Sequence, residues 1–380
     1  MSAFLCITLS AQDATDTLST PGLTNPQETE GLLTPSPAGV RDKLKHKYNI
    51  LKRFIRAFDE FDTTYITPNR YNWAFMLQNT NSFELYDLSS RKPDQSLSFA
   101  SRPTAKFGPY IGWRWIFLGY TFDIASYRNG QESRRTEFDL CLYSSMLGCD
   151  LIYRRTGDNF RIKNTTGFGP EAEQVEGHQY NGIWIEVTGV NVYYVFNHKH
   201  FSYPAAFAQS TVQRKSCGTW QAGLSCTRHA MTFDYDQLPD EITSSPEYPL
   251  KEEFMFDKID YMDYSVSFGY AYNWVFKRNW LLSCSLEPAI GYKKTRTRSS
   301  DIIDNNEDGT PDTQRRALGN THMNCIGRIG LVWNNTKYFG GLSVIVRNYN
   351  YRRNQLTISN TFGTLNFYIG LNFHKRKAYR

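Results

Sequence analysis

The chain has 380 residues, 43 Lys and Arg against 37 Asp and Glu, and a formal charge of +6. That balance is too mild and too evenly spread for a nucleic-acid binder. With 25 Tyr, 25 Phe and 8 Trp the chain is 15% aromatic, yet its mean hydropathy is -0.53. It holds no apolar run of the roughly 18 residues that a transmembrane helix needs, which excludes a helical membrane protein. A transmembrane β-barrel accommodates both facts, because its strands alternate lipid-facing aromatic residues with polar residues facing the lumen.

Residues 1–12 (MSAFLCITLSAQ) carry a short apolar core, Phe4 to Leu9, before a small-residue pattern ending at Ala11. They are expected to be the remnant of a signal peptide without its basic leader. Cys6 lacks the small residues that precede a lipidated cysteine. Residues 13–40 are rich in Ser, Thr, Pro and Gly and read as a disordered linker. In residues 41–60, Leu44, Tyr48, Leu51, Ile55 and Phe58 recur at helical spacing, opposite Lys43, Lys45, Lys47, Lys52, Arg53 and Arg56. This amphipathic helix would lie on an anionic membrane surface or pack across the barrel mouth with its basic face solvated, and the second is favoured.

Residues 61–380 form the expected barrel, with period-two alternation from Arg70 onward. Near the C-terminus Leu365, Phe367, Ile369, Leu371 and Phe373 share one face, opposite Thr364, Asn366, Tyr368, Gly370 and Asn372. Segments 263–274, 280–292 and 322–333 repeat the pattern. Such runs reach the ten or so residues a tilted strand needs to cross a bilayer, and aromatics crowd their ends. Upward strands are placed near 70–88, 116–124, 148–160, 217–233, 279–292 and 337–350; downward strands near 95–113, 136–145, 201–212, 263–275, 320–334 and 360–374. The fold class is thus all-β, a transmembrane antiparallel β-barrel of about 12 strands, with short periplasmic turns and long outer loops at 161–200, 234–262 and 293–319. Segment 190–197 (VNVYYVFN) looks like a strand but would break the even count, so it is assigned to a loop or plug. In the 136–156 hairpin, pairing Leu142 with Cys149 also pairs Leu140 with Leu151, Phe138 with Tyr153 and Glu137 with Arg154. A one-residue slip would set Asp150 opposite Leu140, so the register is specified.

Of the seven cysteines, Cys284 and Cys325 face outward on neighbouring strands and are candidates for a disulfide, or small apolar residues facing lipid. The absence of CxxC argues against zinc. Asp304, Asn306, Asp308, Thr310 and Asp312 fall at alternate positions of an Asp-rich loop around Gly309, the pattern of a weak Ca²⁺ site; Arg315 stands where an EF-hand would have its bidentate Glu. No other cofactor is indicated. Phase points Asp123, Asp139, Asp150, Arg154, Glu287, Arg328 and Arg347 into the lumen, either as a charged eyelet or as a salt-bridged packing. Ser225 and His229 share a strand face about 13 Å apart, too far for a nucleophile and its base.

Phe61-Asp62-Thr63-Thr64-Tyr65-Ile66, Tyr194-Val195-Phe196-Asn197, Phe201 to Phe207 (FSYPAAF), Lys215-Ser216-Cys217-Gly218 and Phe138-Asp139-Leu140 resemble the Bacteroidetes family known as domain of unknown function 4421. The resemblance covers most of the chain from about residue 45; Cys217 and Thr219 replace the Ala and Ser that the family pattern has around the glycine. It implies an outer-membrane barrel and no established activity. The expected function is a small passive channel or structural membrane protein in the bacterial outer membrane. The alternatives are a lipid hydrolase or acyltransferase with Ser and His from different strands, and a surface protein binding an unidentified ligand through its long loops. The expected partner is the lipid bilayer, with no nucleic acid.

Overall fold

Alternation of large apolar and small polar residues cannot be satisfied by a flat sheet in water; it is satisfied when the sheet closes on itself and one face meets lipid. The computed structural model describes residues 2–7, 61–91, 94–113, 116–123, 136–157, 160–295, 321–353 and 355–377. The described strands are β1 (Ser2–Ile7), β2 (Ile66–Pro68), β3 (Tyr71–Arg91), β4 (Asp94–Ser101), β5 (Thr104–Trp113), β6 (Ile116–Asp123), β7 (Thr136–Tyr143), β8 (Leu147–Gly157) and β9 (Phe160–Thr166). They continue with β10 (Gln179–Tyr180), β11 (Ile183–Val195), β12 (Thr211–Gln213), β13 (Cys217–Phe233), β14 (Lys258–Lys277), β15 (Trp280–Thr295), β16 (Thr321–Asn334), β17 (Tyr338–Arg353) and β18 (Leu356–Lys375).

The sheet closes through β3. Its one edge pairs with β18 from Tyr71↔Lys375 to Ser90↔Leu356, and its other edge pairs with β5 from Trp73↔Trp113 to Ser82↔Thr104. Around the ring, β18, β17, β16, β15, β14, β13, β11, β8 and β7 follow one another, and β6 and β5 complete it. These twelve strands, β3 included, are the expected number. β1 adds a thirteenth element between β6 and β7, antiparallel to the first and parallel to the second. Above Ser82, β3 pairs instead with β4, which leads to β9, so the wall divides at its outer end. The 136–156 hairpin has the expected register, with Leu142↔Cys149, Leu140↔Leu151, Phe138↔Tyr153 and Glu137↔Arg154.

Face assignment follows the phase. On β14, Tyr264, Val266, Phe268, Tyr270, Tyr272, Trp274 and Phe276 are exposed, whereas Asp263, Ser265, Ser267, Ala271 and Asn273 are buried. The belt from Tyr264 to Phe276 is about 40 Å along the strand, or roughly 29 Å at a 45° tilt, close to the hydrocarbon thickness of a bilayer. Its upper limit is marked on the outer wall by Arg228, whose Nε and Nη2 donate to Asp260 at 3.1 and 2.6 Å. Its lower limit is the turn at Lys277 and Arg278. No described helix is long and apolar enough to cross a membrane. The belt makes this a membrane-spanning barrel.

One expectation is inverted. Segment 190–197 is not a loop: residues 190–195 are the lower end of β11, paired with β8 and β13, and 196–197 begin the turn that follows. Segment 201–212 is not a wall strand. After β11 the chain turns into the barrel, where α1 (Tyr203–Phe207) forms with Ser202 as its N-cap, accepting from the Ala205 amide at 3.3 Å. Pro204 removes a ladder donor and suits a helix start, so this stretch resists strand formation. Ala205 and Ala206 pack beside Leu281, Val332 and Tyr368, and Phe201 and Tyr203 pack beside Tyr143, Tyr193 and Ala271. β12 then pairs with β2, tying residues 66–68 to this plug.

The outer end carries a second core. Phe99, Phe160, Phe168, Tyr180, Phe233, Phe254 and Phe256 are buried together beneath segments 161–182 and 234–257. What the sequence assigns to long loops is therefore a packed cap. The cysteines 141, 149, 217, 226, 284 and 325 are unbridged. Cys284 opposes Ile329 and Cys325 opposes Pro288, too far out of register for a disulfide. The linker, the amphipathic helix at 41–60 and the Asp-rich loop lie outside the described residues.

Lipid-facing and edge positions should differ in their tolerance of charge. Leu286, opposite Tyr270 at mid-belt, is 59% exposed. Leu286→Arg is expected to lower the unfolding free energy in bilayers by about 2–4 kcal/mol, and Tyr292→Arg, at the belt's edge, by about 1 kcal/mol or less. Denaturant titration of the heat-modifiable band on a gel measures both.

Candidate functional site

The polar faces of the strands meet halfway along the lumen, where burial means that every charge needs a partner. Arg328 on β16 is fully buried; its Nη2 donates to Asp150 Oδ2 of β8 at 2.7 Å and its Nη1 to Glu287 Oε2 of β15 at 3.0 Å. Its guanidinium lies 5.0 Å from the Tyr193 ring centroid. Glu287 Oε1 accepts from Ser267 Oγ at 2.5 Å, and Arg347 Nη2 stands 3.7 Å from Asp150. The layer needs two glycines for clearance. A Cβ on Gly148 would meet the Tyr193 ring at 2.1 Å, and one on Gly223 would meet Glu287 Oε1 at 2.8 Å.

A second cluster adjoins the first. Arg154 on β8 donates from Nη2 to Asp139 Oδ2 at 2.8 Å and lies 3.5 Å from Glu84 and 3.7 Å from Glu137. Glu137 also holds Lys106 Nζ at 2.5 Å and accepts from Ser82 Oγ. The Phe362 ring links the clusters, with Arg154 at 4.5 Å and Arg347 at 6.0 Å from its centroid. Each of the four cations, Lys106, Arg154, Arg328 and Arg347, has a carboxylate within 4 Å.

Of the expected lumen residues, Asp139, Asp150, Arg154, Glu287, Arg328 and Arg347 are brought together. Asp123 is placed opposite Lys106 in the β5–β6 register. Glu84, Lys106 and Glu137 complete the network; the hairpin register already sets Glu137 against Arg154, whereas Glu84 and Lys106 are absent from the expected cluster. Glu84 has a signal in the sequence, since it shares one wholly polar phase of β3 with Gln78, Thr80 and Ser82. The Ca²⁺ candidates Asp304, Asn306, Asp308, Thr310 and Asp312 lie outside the described residues, and among those described no group of three metal-ligating side chains assembles.

Between this layer and the plug is a cavity of about 80 Å³, lined in part by Asp139, Arg347, Phe207, Gln209 and Tyr368. It has room for several water-sized groups. Arg347 Nε and Asp139 Oδ1 are buried there without hydrogen bonds to protein.

The Ser and His geometry is not that of a nucleophile and its base. Ser265 Oγ donates to Asp263 Oδ1 at 2.6 Å, while His322 Nε2 lies 2.9 Å from Asp263 Oδ2. The carboxylate stands between hydroxyl and imidazole, so the imidazole is not placed to take the hydroxyl proton. His229 is buried against the Tyr261 and Tyr349 rings, with centroids 5.0 and 4.8 Å away.

The central pairings should dominate stability. Asp150→Asn leaves Arg328 with Glu287 alone and removes the carboxylate next to Arg347. It is expected to destabilise the folded barrel by about 3 kcal/mol or more, read as a lowered midpoint of urea unfolding in micelles.

No curated protein matches the sequence. Solved structures with a similar fold include the outer membrane protease OmpT from Escherichia coli, at 9% identity over 81% of this chain and 98% of that one, with a TM-score of 0.33. They also include OprG from Pseudomonas aeruginosa (7% identity, 81% and 99% covered, TM-score 0.21) and the attachment invasion locus protein Ail of Yersinia pestis, in complex with sucrose octasulfate (6% identity, 77% and 98% covered, TM-score 0.20). These are bacterial outer-membrane proteins, and the likeness is one of fold alone. The match that identifies the chain is to a family model described as a domain of unknown function, DUF4421, over residues 60–373; the protein belongs to that family.

Proposed function

We propose that the protein is an outer-membrane barrel sealed through its lumen, a membrane-anchored scaffold for its folded outer cap rather than an open channel. The observation that carries this reading is the fully buried bridge Asp150–Arg328–Glu287, which spans the lumen between walls formed by β8, β15 and β16. Selectivity eyelets keep their charges exposed to a water path, whereas Asp150, Arg328 and Glu287 are paired and buried. Below the bridge the plug adds Tyr203 and Phe207, and above it the aromatic cap closes the outer end. The bilayer is the partner of the exposed belt. Placement in the outer membrane follows from a closed barrel with short turns at one end and an elaborate cap at the other.

Export fits the same reading. Cleavage after Ala11 would remove β1, leaving β6 and β7 as neighbours in an even ring of twelve antiparallel strands. The cap is the surface that would hold a ligand, and Asp304, Asn306, Asp308, Thr310 and Asp312, in the segment between β15 and β16, are proposed as a weak Ca²⁺ site from their spacing in the sequence. Ca²⁺ is expected to protect the 293–319 loop from protease, and Asp308→Asn to abolish that protection.

Planar-bilayer recording tests the main reading. The full-length protein, refolded and heat-modifiable, is expected to give no stepwise conductance. Stable unitary steps would reject the sealed lumen and make Glu287, Arg328 and Arg347 selectivity residues.

A further inference from the structure

Five stretches at the lower mouth of the barrel, residues 61–75, 196–216, 275–281, 334–340 and 370–377, together carry ten Lys and Arg and a single acid, Asp62, whose carboxylate stands 3.6 Å from His200 Nε2. Folding gathers their guanidinium groups. Arg214, between the plug and β13, donates from Nε to Thr67 Oγ1 at 2.9 Å and from Nη1 to Asn279 Oδ1 at 3.3 Å. Those bonds fix it beside the turn that holds Arg278 and the segment that leads to Arg70. Arg376 is joined to the same segment, its amide donating to the Arg70 carbonyl at 2.9 Å. Burial first, and then the charges of Arg70 and Arg278, push the Arg214 guanidinium down from its ordinary value. Like charges thus converge here, and the one carboxylate on these stretches, Asp62, is engaged by Thr64 and His200.

The exposed Arg278 side chain has no hydrogen-bond or ion-pair partner among the described residues. Its turn is held firmly. Asn279 adopts φ +67° and its carbonyl accepts the Asn334 amide at 2.9 Å. The cluster begins one to two residues below Trp274 and Phe276, the last exposed aromatics of the belt on β14. That is the level at which phosphate groups of a bilayer lie. A planar guanidinium presents paired donors that match phosphate oxygens, and several together neutralise the charge of a phosphate.

We propose that Arg214 and Arg278, with Arg70 and Arg376 beside them, form a phosphate-binding site at the lower mouth, for the phosphate of an anionic lipid headgroup or for free phosphate. The site is independent of whether the lumen conducts, so its failure and that of the sealed-barrel reading are separate outcomes. Full-length protein refolded in an uncharged detergent is titrated with inorganic phosphate, and separately reconstituted into phosphatidylcholine nanodiscs with and without phosphatidic acid. The readouts are calorimetric binding, the thermal midpoint and retained lipid in native mass spectrometry. Saturable binding that weakens with salt is expected, and Arg278→Gln, at an exposed turn, should weaken it about tenfold. Lys163→Gln, at the outer end, should leave it unchanged. Binding of inorganic phosphate assigns a free-phosphate site; a response to phosphatidic acid alone assigns the lipid headgroup. Arg214→Gln should weaken either response further, provided its heat-modifiable shift is intact. Absence of both responses, or equal responses in the wild type and Arg278→Gln, overturns the proposal.

Discussion

Closure between the first and last long strands is the constraint from which the rest follows. In lipid no water satisfies an exposed amide, so β3 and β18 must pair, and they do so over nearly their whole length. That pairing fixes a single phase around the ring. A slip of one residue would carry Arg328, Asp150 and Glu287 from the lumen to the acyl chains and bring Ile329, Leu286 and Cys149 inside. The same backbone register therefore places the aromatic belt outside and the charges inside, and neither can be changed alone.

Once charges are forced into a narrow lumen and buried there, their pairing becomes obligatory. Arg328 reaches two carboxylates on two different strands, and Arg154 reaches three. Two of these contacts, Arg328 with Asp150 of β8 and Arg154 with Glu84 of β3, join strands that are not neighbours and brace the walls as a hydrophobic core would in a soluble domain; the others tie adjacent strands. Buried ion pairs offset their desolvation only with close geometry and extra hydrogen bonds. Ser267 on Glu287 and Ser82 on Glu137 supply such bonds. The space they need is cleared by residues without side chains, Gly223 beside Glu287 and Gly148 beneath Tyr193.

The sequence was legible where period two coincides with burial on one face only. β14, β15, β16 and β18 announce their registers because their outward residues are large and apolar and their inward ones small. The lumen cluster was legible in the same way, since an ionisable residue on the inward phase has nowhere else to point. Three features are not. In β11 an even strand count competes with the local pattern, although Ile183, Ile185, Val187, Tyr193 and Val195 alternate inward as the strand requires. The plug imitates a strand because Phe201, Tyr203, Ala205 and Phe207 also alternate; Pro204 behind a capping Ser202 decides for a helix start over a ladder. The cap hid for a different reason. Its core joins residues as distant as Phe99 and Phe256, and no local period reports such contacts.

The two ends of the barrel also differ in charge, and this bears on orientation. The cap segments 161–182 and 234–258 contain eleven acidic and four basic residues, while the five stretches of the opposite mouth contain ten basic residues and one acidic, Asp62. The overall charge of +6 conceals that separation. A bilayer between the ends keeps the two fields apart, because exposed charges beyond a Debye length of about 10 Å are screened from each other in salt. Each end is then free to meet a different environment. The acidic cap resists anionic surfaces and suits cations, and the basic mouth favours phosphate-rich leaflets. A barrel inserted upside down would exchange both preferences at once, so charge and fold specify the same orientation.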